Sequence, residues 1–215
     1  NFTNSLLVGH ATTGTLNSAD ENTAIGIGAL DALTSGDGNV AVGYVSGTAI
    51  NSGIHNTFVG HSAGGALTST SRNTFIGSSA GASSNAGDRN TAVGHFAGQN
   101  ITSADGCVFI GSSMTADSVS DNRQLKIGGN DGSTTTTWIS GDNSGNLTFP
   151  ADVTLGDDLH LDSDAAVLKF GDDGEITITH DADVGLKLKH TATADDKPIK
   201  LTLQTGETDI AANDV

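Results

Sequence analysis

The sequence predicts an all-β chain that begins with a β-solenoid and continues into a strand-rich fibrous shaft. Three observations support this fold class: a sequence motif that repeats at a fixed interval, a scarcity of aromatic residues and an abundance of turn-forming residues. The motif reads NTFVGHSAG at 56–64, NTFIGSSAG at 73–81 and NTAVGHFAG at 90–98. A fixed internal period of this kind is typical of solenoids and repeat arrays.

The composition favours thin β-layers over a large core. The 215 residues include 29 Gly but only one Trp and one Tyr, and 16% of the residues are charged. Small apolar residues suit regularly layered packing, and Thr, Ser, Asn and Gly suit short strands joined by tight turns. We therefore expect many short strands and no long helix.

A column of glycines defines the repeat over residues 1–120. Successive members are 17 residues apart, without insertion or deletion. Seven copies predict seven stacked coils. The column consists of Gly9, Gly26, Gly43, Gly60, Gly77, Gly94 and Gly111.

Two apolar columns stand immediately before these glycines. The nearer column is β-branched throughout, and the one before it contains only Leu, Ala or Phe. Adjacent residues of a strand point to opposite faces, so both faces need to be buried. We predict that the β-branched column fills the interior together with Leu33, Ile50 and Leu67. The other face would then pack against further copies of the chain in an oligomer. The predicted interface between the copies comprises Phe58, Phe75 and Phe109.

A column of asparagines lies four places before the glycines. Identical amides on stacked strands can hydrogen-bond along the column. These residues are therefore predicted to have a structural role, as are the glycines that form the turns. The asparagine column comprises Asn22, Asn39, Asn56, Asn73 and Asn90.

The regular repeat is interpreted as ending after Gly111, and two further regions follow. Residues 121–150 are predicted to be a connector with three short strands, separated by the turn signals GGNDG and GDNSGN. Residues 151–215 alternate apolar and polar residues, which predicts an acidic shaft of half-buried strands. The last residues stop without a terminating feature, so we expect the sequence to be part of a longer chain.

The NTAIG, NVAVG, NTFVG and NTAVG phrases resemble the repeats of trimeric autotransporter adhesin heads and, more closely, the arrays in tail-fibre proteins of tailed bacteriophages. The segment LKIGGNDGSTTTTWISGDNSGNLTFP is similar to the shafts of phage fibres. The resemblance implies a parallel homotrimer in a virion appendage that extends a receptor-binding tip for host attachment. It further implies other fibre or virion proteins and a cell-surface receptor or glycan as partners. The alternative that it leaves open is a stalk or head of a bacterial surface adhesin.

The charge of the chain argues against two further classes of partner. A net charge of −16, with nine Lys and Arg residues, disfavours nucleic acid and anionic membranes. No run of apolar residues approaches the length of a transmembrane helix. We therefore expect neither nucleic acid nor a membrane among the partners.

The sequence contains little that indicates catalysis or a cofactor. The lone Cys107 has no catalytic context and no GxSxG elbow occurs. Paired carboxylates facing a groove would be needed for a glycan-cleaving spike, the third function considered. We expect no enzyme and no cofactor. Pairs of acidic residues at the predicted turns could supply oxygen ligands, so calcium binding is left open. One candidate metal site is a cluster of histidines on a threefold axis, in the column after the glycine, formed by His10, His61 and His95.

Overall fold

The computed structural model describes residues 5–9, 18–85, 87–161, 167–170, 176–181 and 185–190. Within these ranges the protein is all-β and contains no helix. The chain divides into two compact units, Asn1–Val153 and Thr154–Val215. Each unit is described by itself.

The first unit is a β-solenoid of stacked parallel strands. Each strand pairs in parallel with the next along the chain, and Phe58 thereby lies opposite Phe75. Partners across each pair are separated by 17 positions, as in the hydrogen bond between Asn56 and Asn39. Most strands have only three residues because a turn follows each one at the glycine. The parallel strands are β1 Leu6–Val8, β2 Thr23–Ile25, β3 Val40–Val42, β4 Thr57–Val59, β5 Thr74–Ile76, β6 Thr91–Val93, β7 Val108–Ile110 and β8 Leu125–Asn130.

The parallel stack continues beyond Gly111, contrary to the prediction that the repeat ends there. Val108 of β7 pairs with Leu125 of β8, in the same register as the earlier pairs. Ile127 and Gly128 therefore repeat the β-branched residue and the glycine of the earlier copies. The prediction missed this eighth copy because Lys126 takes the place of the apolar residue, such as Phe109, that precedes the β-branched residue in the earlier copies.

Three strands occur between residues 124 and 149, as predicted. Strand β8 pairs antiparallel with β9 Thr135–Gly141, and β9 pairs with β10 Leu147–Thr148. All three belong to the same ten-stranded sheet as the solenoid. The region predicted as a connector is thus a continuation of the first unit.

The second unit contains a three-stranded antiparallel sheet. Its strands are β11 Val167–Phe170, β12 Ile176–Asp181 and β13 Gly185–His190, with β12 in the centre. The alternating pattern over 151–215 predicted strands of this type. The paired acids Asp172 and Asp173 lie outside the described residues.

The structure reverses the predicted inside and outside of the solenoid strands. Phe58, Phe75 and Phe109 are fully buried within their own chain, with 0% of their surface exposed. The prediction that they form the trimer interface is therefore wrong. The β-branched column, predicted to be internal, faces outward instead. Ile25 and Ile110 are 43% and 41% exposed.

The asparagine column explains this orientation. Asn56 and Phe58 are two residues apart on one extended segment, so their side chains share a face. The amide needs its partners in the neighbouring coils, and its burial places the phenyl ring inside as well. The interior is completed by the predicted column of Leu33, Ile50 and Leu67, each at most 1% exposed.

A second column of glycines, four residues after the first, makes room for the phenyl rings. A Cβ on Gly64 would lie 2.5 Å from two ring carbons of Phe58, and Gly81 meets the ring of Phe75 in the same way. Leu30 occupies the equivalent position in the level of Ala24, where no ring needs the space. Large and small side chains thus alternate between facing columns, as close packing requires.

The first glycine column allows the coils to approach each other at their corners. Gly60 has a φ of 135°. A Cβ at this position would overlap the carbonyl oxygen of Gly77 in the next coil. Only glycine meets both conditions.

Candidate functional site

The asparagine column forms a continuous buried ladder. The Nδ2 atoms of Asn39 and Asn56 donate to the Oδ1 atoms of Asn22 and Asn39 at 3.1 and 3.0 Å. The same Oδ1 atoms accept the backbone N–H of the next asparagine, at 2.8 and 3.0 Å. All five side chains are at most 1% exposed. The ladder therefore satisfies buried polar groups of consecutive coils and presents no free group to a ligand.

Each ladder amide further fastens the turn that closes its own coil. Asn56 Nδ2 donates to the carbonyl oxygen of Thr70 at 2.8 Å, and Asn90 Nδ2 donates to that of Ala104 at the same distance. The side chain of Asn56 thus bonds to the backbone of Thr70 and Asn73 and to the side chain of Asn39. This geometry supports the structural role that the sequence predicted.

Cys107 takes the place of asparagine in the next coil of the ladder. Its N–H still donates to Asn90 Oδ1 at 2.9 Å, but its thiol lies 3.5 Å from the carbonyl oxygen of Asp121. Burial raises the pKa of Cys107, so the unreactive thiol form is favoured. In the next coil Gln124 takes the column position and donates to the carbonyl oxygens of Ser118 and Asp121.

A second ladder, which sequence reasoning missed, runs two residues before the asparagines. In this column a side-chain oxygen accepts the backbone N–H from the preceding coil. Asp88 Oδ1 accepts from Ser71 at 2.8 Å, and Asp105 Oδ1 accepts from Asp88 at 2.7 Å. The sequence pattern that could have revealed this ladder is the recurrence of short polar side chains with an acceptor oxygen in one column. These carboxylates have a structural function in stacking the coils.

The histidine column lies on the surface. His61 and His95 are exposed, and the ring of His61 stacks on Tyr44 with centroids 5.4 Å apart. His10 lies outside the described residues. Within the described part of one chain, no group of three or more His, Cys, Asp and Glu side chains is placed to hold a metal ion. The axial site that requires three chains stays a prediction.

The outward column of the solenoid forms a continuous apolar line, here called the outer strip. Val8 and Ile25 are 50% and 43% exposed, and Ile76 is 38% exposed. Soluble chains seldom leave such a contiguous apolar surface uncovered. The outer strip consists of Val8, Ile25, Val42, Val59, Ile76, Val93 and Ile110.

A different surface occurs on the hairpin formed by β8 and β9. Trp138 is 59% exposed there and borders an open groove of about 300 Å³. Sequence reasoning did not single out this residue, although it is the only tryptophan of the chain. The groove is lined by Gly129, Asn130, Asp131, Thr134, Thr136 and Trp138.

Among the described residues, no helix has the length and apolar character needed to cross a membrane. No protein-family model matches the chain, and neither a curated protein nor a solved structure is significantly similar to it. The features of the molecule that bear on function are therefore the repeat geometry, the outer strip and the groove beside Trp138.

Proposed function

We propose that this chain is a structural, non-enzymatic fibre protein of a tailed bacteriophage, assembled as a parallel homotrimer in a virion appendage. In this role it extends a receptor-binding tip for host attachment and contacts other fibre or virion proteins. The observation that carries the proposal is the stack of nearly identical coils with a continuous apolar strip on its outer face. Such a stack supplies length and stiffness, because every coil buries part of its neighbour.

The outer strip replaces the phenylalanines as the proposed trimer interface. Equal spacing of the strands allows the strip of one copy to match the strip of another at every level, provided that the chains are parallel. Three strips around a threefold axis would bury the side chains that a single chain leaves exposed. The driving force is burial of apolar surface, worth about 25 cal/mol per Å².

Sedimentation of the chain and of charge variants tests this interface. The triple variant Ile25→Lys, Ile76→Lys and Ile110→Lys should fold but sediment as a monomer. Lysine is tolerated on a partly exposed strand, whereas burying its charge at an interface costs several kcal/mol. Circular dichroism checks that the β-structure persists.

Ser69→Lys is the matched control, because Ser69 is exposed in a turn outside the strip. This variant should remain a trimer. Wild-type protein that sediments as a monomer would overturn the trimer, and a trimeric triple variant would overturn this interface.

We further propose that the 17-residue coil is the unit of stability. Deleting residues 56–72 removes one complete coil and keeps every column in register. Deleting only residues 56–63 shifts the following columns and exposes apolar faces. The first variant should melt cooperatively near the wild-type temperature, and the second should not. Equal tolerance of both deletions would contradict the proposal.

A localisation experiment and an activity assay distinguish the main proposal from two other functions. An antibody against residues 1–153 should label appendages of phage particles if the main proposal holds. Labelling of a bacterial surface would instead support the stalk or head of a trimeric adhesin. Release of reducing sugar from host glycans, abolished by an acid substitution, would support a glycan-cleaving spike.

A further inference from the structure

Trp138 is the extra residue of a β-bulge. Ile127 pairs with Ile139, whereas the next residue, Gly128, pairs with Thr137, so Trp138 has no partner across the hairpin. A bulge of this kind redirects the side chain that it carries. Here the edge of the indole ring lies over Gly129, with Cη2 3.4 Å from the point where a Cβ would stand. The bulge thus holds a large ring against the backbone and leaves 59% of the residue exposed.

Polar groups in fixed positions line the groove beside the ring. The carboxylate of Asp131 accepts the backbone N–H groups of Ser133 and Thr134 at 2.9 and 2.8 Å. Asn130 donates to the Thr135 hydroxyl at 2.6 Å and accepts the N–H of Gly132 at 2.7 Å. These hydrogen bonds orient the acid and the amide beside the indole before any ligand arrives.

We propose that the groove beside Trp138 binds a neutral saccharide. One face of a pyranose ring carries C–H groups, which pack on the electron-rich face of an indole. The rim of the same ring carries hydroxyl groups, which the Asp131 carboxylate and the Asn130 amide are placed to bind. An aromatic platform with a few oriented polar groups is the usual composition of a small-ligand site.

Other ligand classes fit the groove less well. The chain has a net charge of −16 and the groove contains a carboxylate, so an anionic glycan would be repelled. Recognition of quaternary ammonium groups uses a cage of several aromatic rings. Trp138 is the one aromatic residue among those that line this groove. A protein partner would need a far larger surface, about 800 Å² on each side.

The inference is independent of the proposed fibre function, because ligand binding is measured on the assembled chain of residues 1–215 itself. Trp138 is the only tryptophan, so its fluorescence reports on this groove alone. The probes are the methyl glycosides of glucose, galactose, mannose, rhamnose and N-acetylglucosamine, together with trisaccharides of glucose and N-acetylglucosamine. At least one probe should change the fluorescence saturably at millimolar concentrations.

Variants assign the binding to the groove. By isothermal titration calorimetry, Trp138→Ala should abolish binding, and Asp131→Asn should weaken it about tenfold or more, as expected for loss of a charged hydrogen bond. Asp131→Asn keeps an oxygen for the turn amides, so the hairpin should stay folded. Asp142→Asn is the control, because Asp142 accepts turn amides outside this groove and its substitution should leave the affinity unchanged.

Four results would overturn the proposal. The first is that no sugar in the panel changes the fluorescence saturably, and the second is that Trp138→Ala binds as well as wild type. The third is that choline, tested beside the sugars, gives the only response. The fourth is that Trp138 is protected from acrylamide quenching in the sugar-free assembly. The last result would mean that another copy of the chain covers the ring.

Discussion

The side chains of Asn39 and Asn56 lie in consecutive coils and are joined by a hydrogen bond of 3.0 Å from Nδ2 of Asn56 to Oδ1 of Asn39. Asn56 Oδ1 in turn accepts the backbone N–H of Asn73 at 3.0 Å. A single amide therefore connects three coils in the interior. This buried amide is costly to remove, because the Asn73 N–H and the Thr70 carbonyl oxygen would each lose a hydrogen bond.

Asn56→Ala should lower the free energy of unfolding by about 2–3 kcal/mol, the cost of leaving buried polar groups unsatisfied. Chemical denaturation measures the change. Asn51→Ala is the matched control, because Asn51 is exposed and its side chain accepts a hydrogen bond from the exposed hydroxyl of Ser52. That variant should stay within about 0.5 kcal/mol of wild type. Equal effects of the two substitutions would contradict a stabilising ladder.

Cys107→Asn should stabilise the solenoid by about 1 kcal/mol, the net value of an added hydrogen bond. The thiol contacts the carbonyl oxygens of Asp105 and Asp121, at 3.8 and 3.5 Å. Asn22 Nδ2 donates to the equivalent pair, Asp20 and Gly36, at 2.9 Å each. An asparagine at 107 would thus find its partners in place. A lower melting temperature would show that the pocket is too small for the amide.

Gly60→Ala should destabilise the solenoid, whereas Gly65→Ala should not. The first adds a methyl group at a φ of 135°, against the carbonyl oxygen of Gly77, and should cost about 3 kcal/mol or more. At Gly65 the nearest atom to an added Cβ is the Ser62 carbonyl oxygen at 3.4 Å, an ordinary contact. Gly65→Ala should therefore be neutral or stabilising by up to about 1 kcal/mol. Thermal melts compare the two, and a tolerated Gly60→Ala would refute the close packing of the corners.

The turn at Asp142 should loosen at low pH. The Asn146 side chain is the main cause that lowers the pKa of Asp142 below 3.8, and the turn amides act in the same direction. A lowered folded-state pKa means that the ionised carboxylate stabilises the turn above pH 3.8. This contribution is lost as the pH falls through the lower folded value. NMR titration of the carboxyl carbon measures the pKa.

Asn146→Ala should raise the pKa of Asp142 towards 3.8, while the pKa of Asp131, lowered by the amides of Thr134 and Ser133, should not move. An unchanged pKa of Asp142 in this variant would show that Asn146 does not hold the carboxylate.

The all-β class, the positions of the short strands and the asparagine ladder could be predicted from the sequence. Each depends on a local pattern that repeats, and stacked copies of one pattern place identical residues in columns. The three strands between residues 124 and 149 could likewise be predicted, because turn-forming sequences separate them. The eighth copy could have been predicted from Ile127 and Gly128, had Lys126 not broken the apolar column. The groove beside Trp138 could not, because its bulge depends on how two strands pair.

The sequence by itself determined that the chain repeats as a stack of β-strands with a polar ladder, since period and residue type are local properties. Only the tertiary structure decided which apolar column lies inside. Phe58 and Val59 are neighbours on one strand, and both are apolar, so alternation alone assigns neither of them to the core. The choice follows from contacts between coils. Asn56 finds its hydrogen-bond partners only in the interior, and Gly64 leaves space for the ring of Phe58 there, so Val59 faces outward.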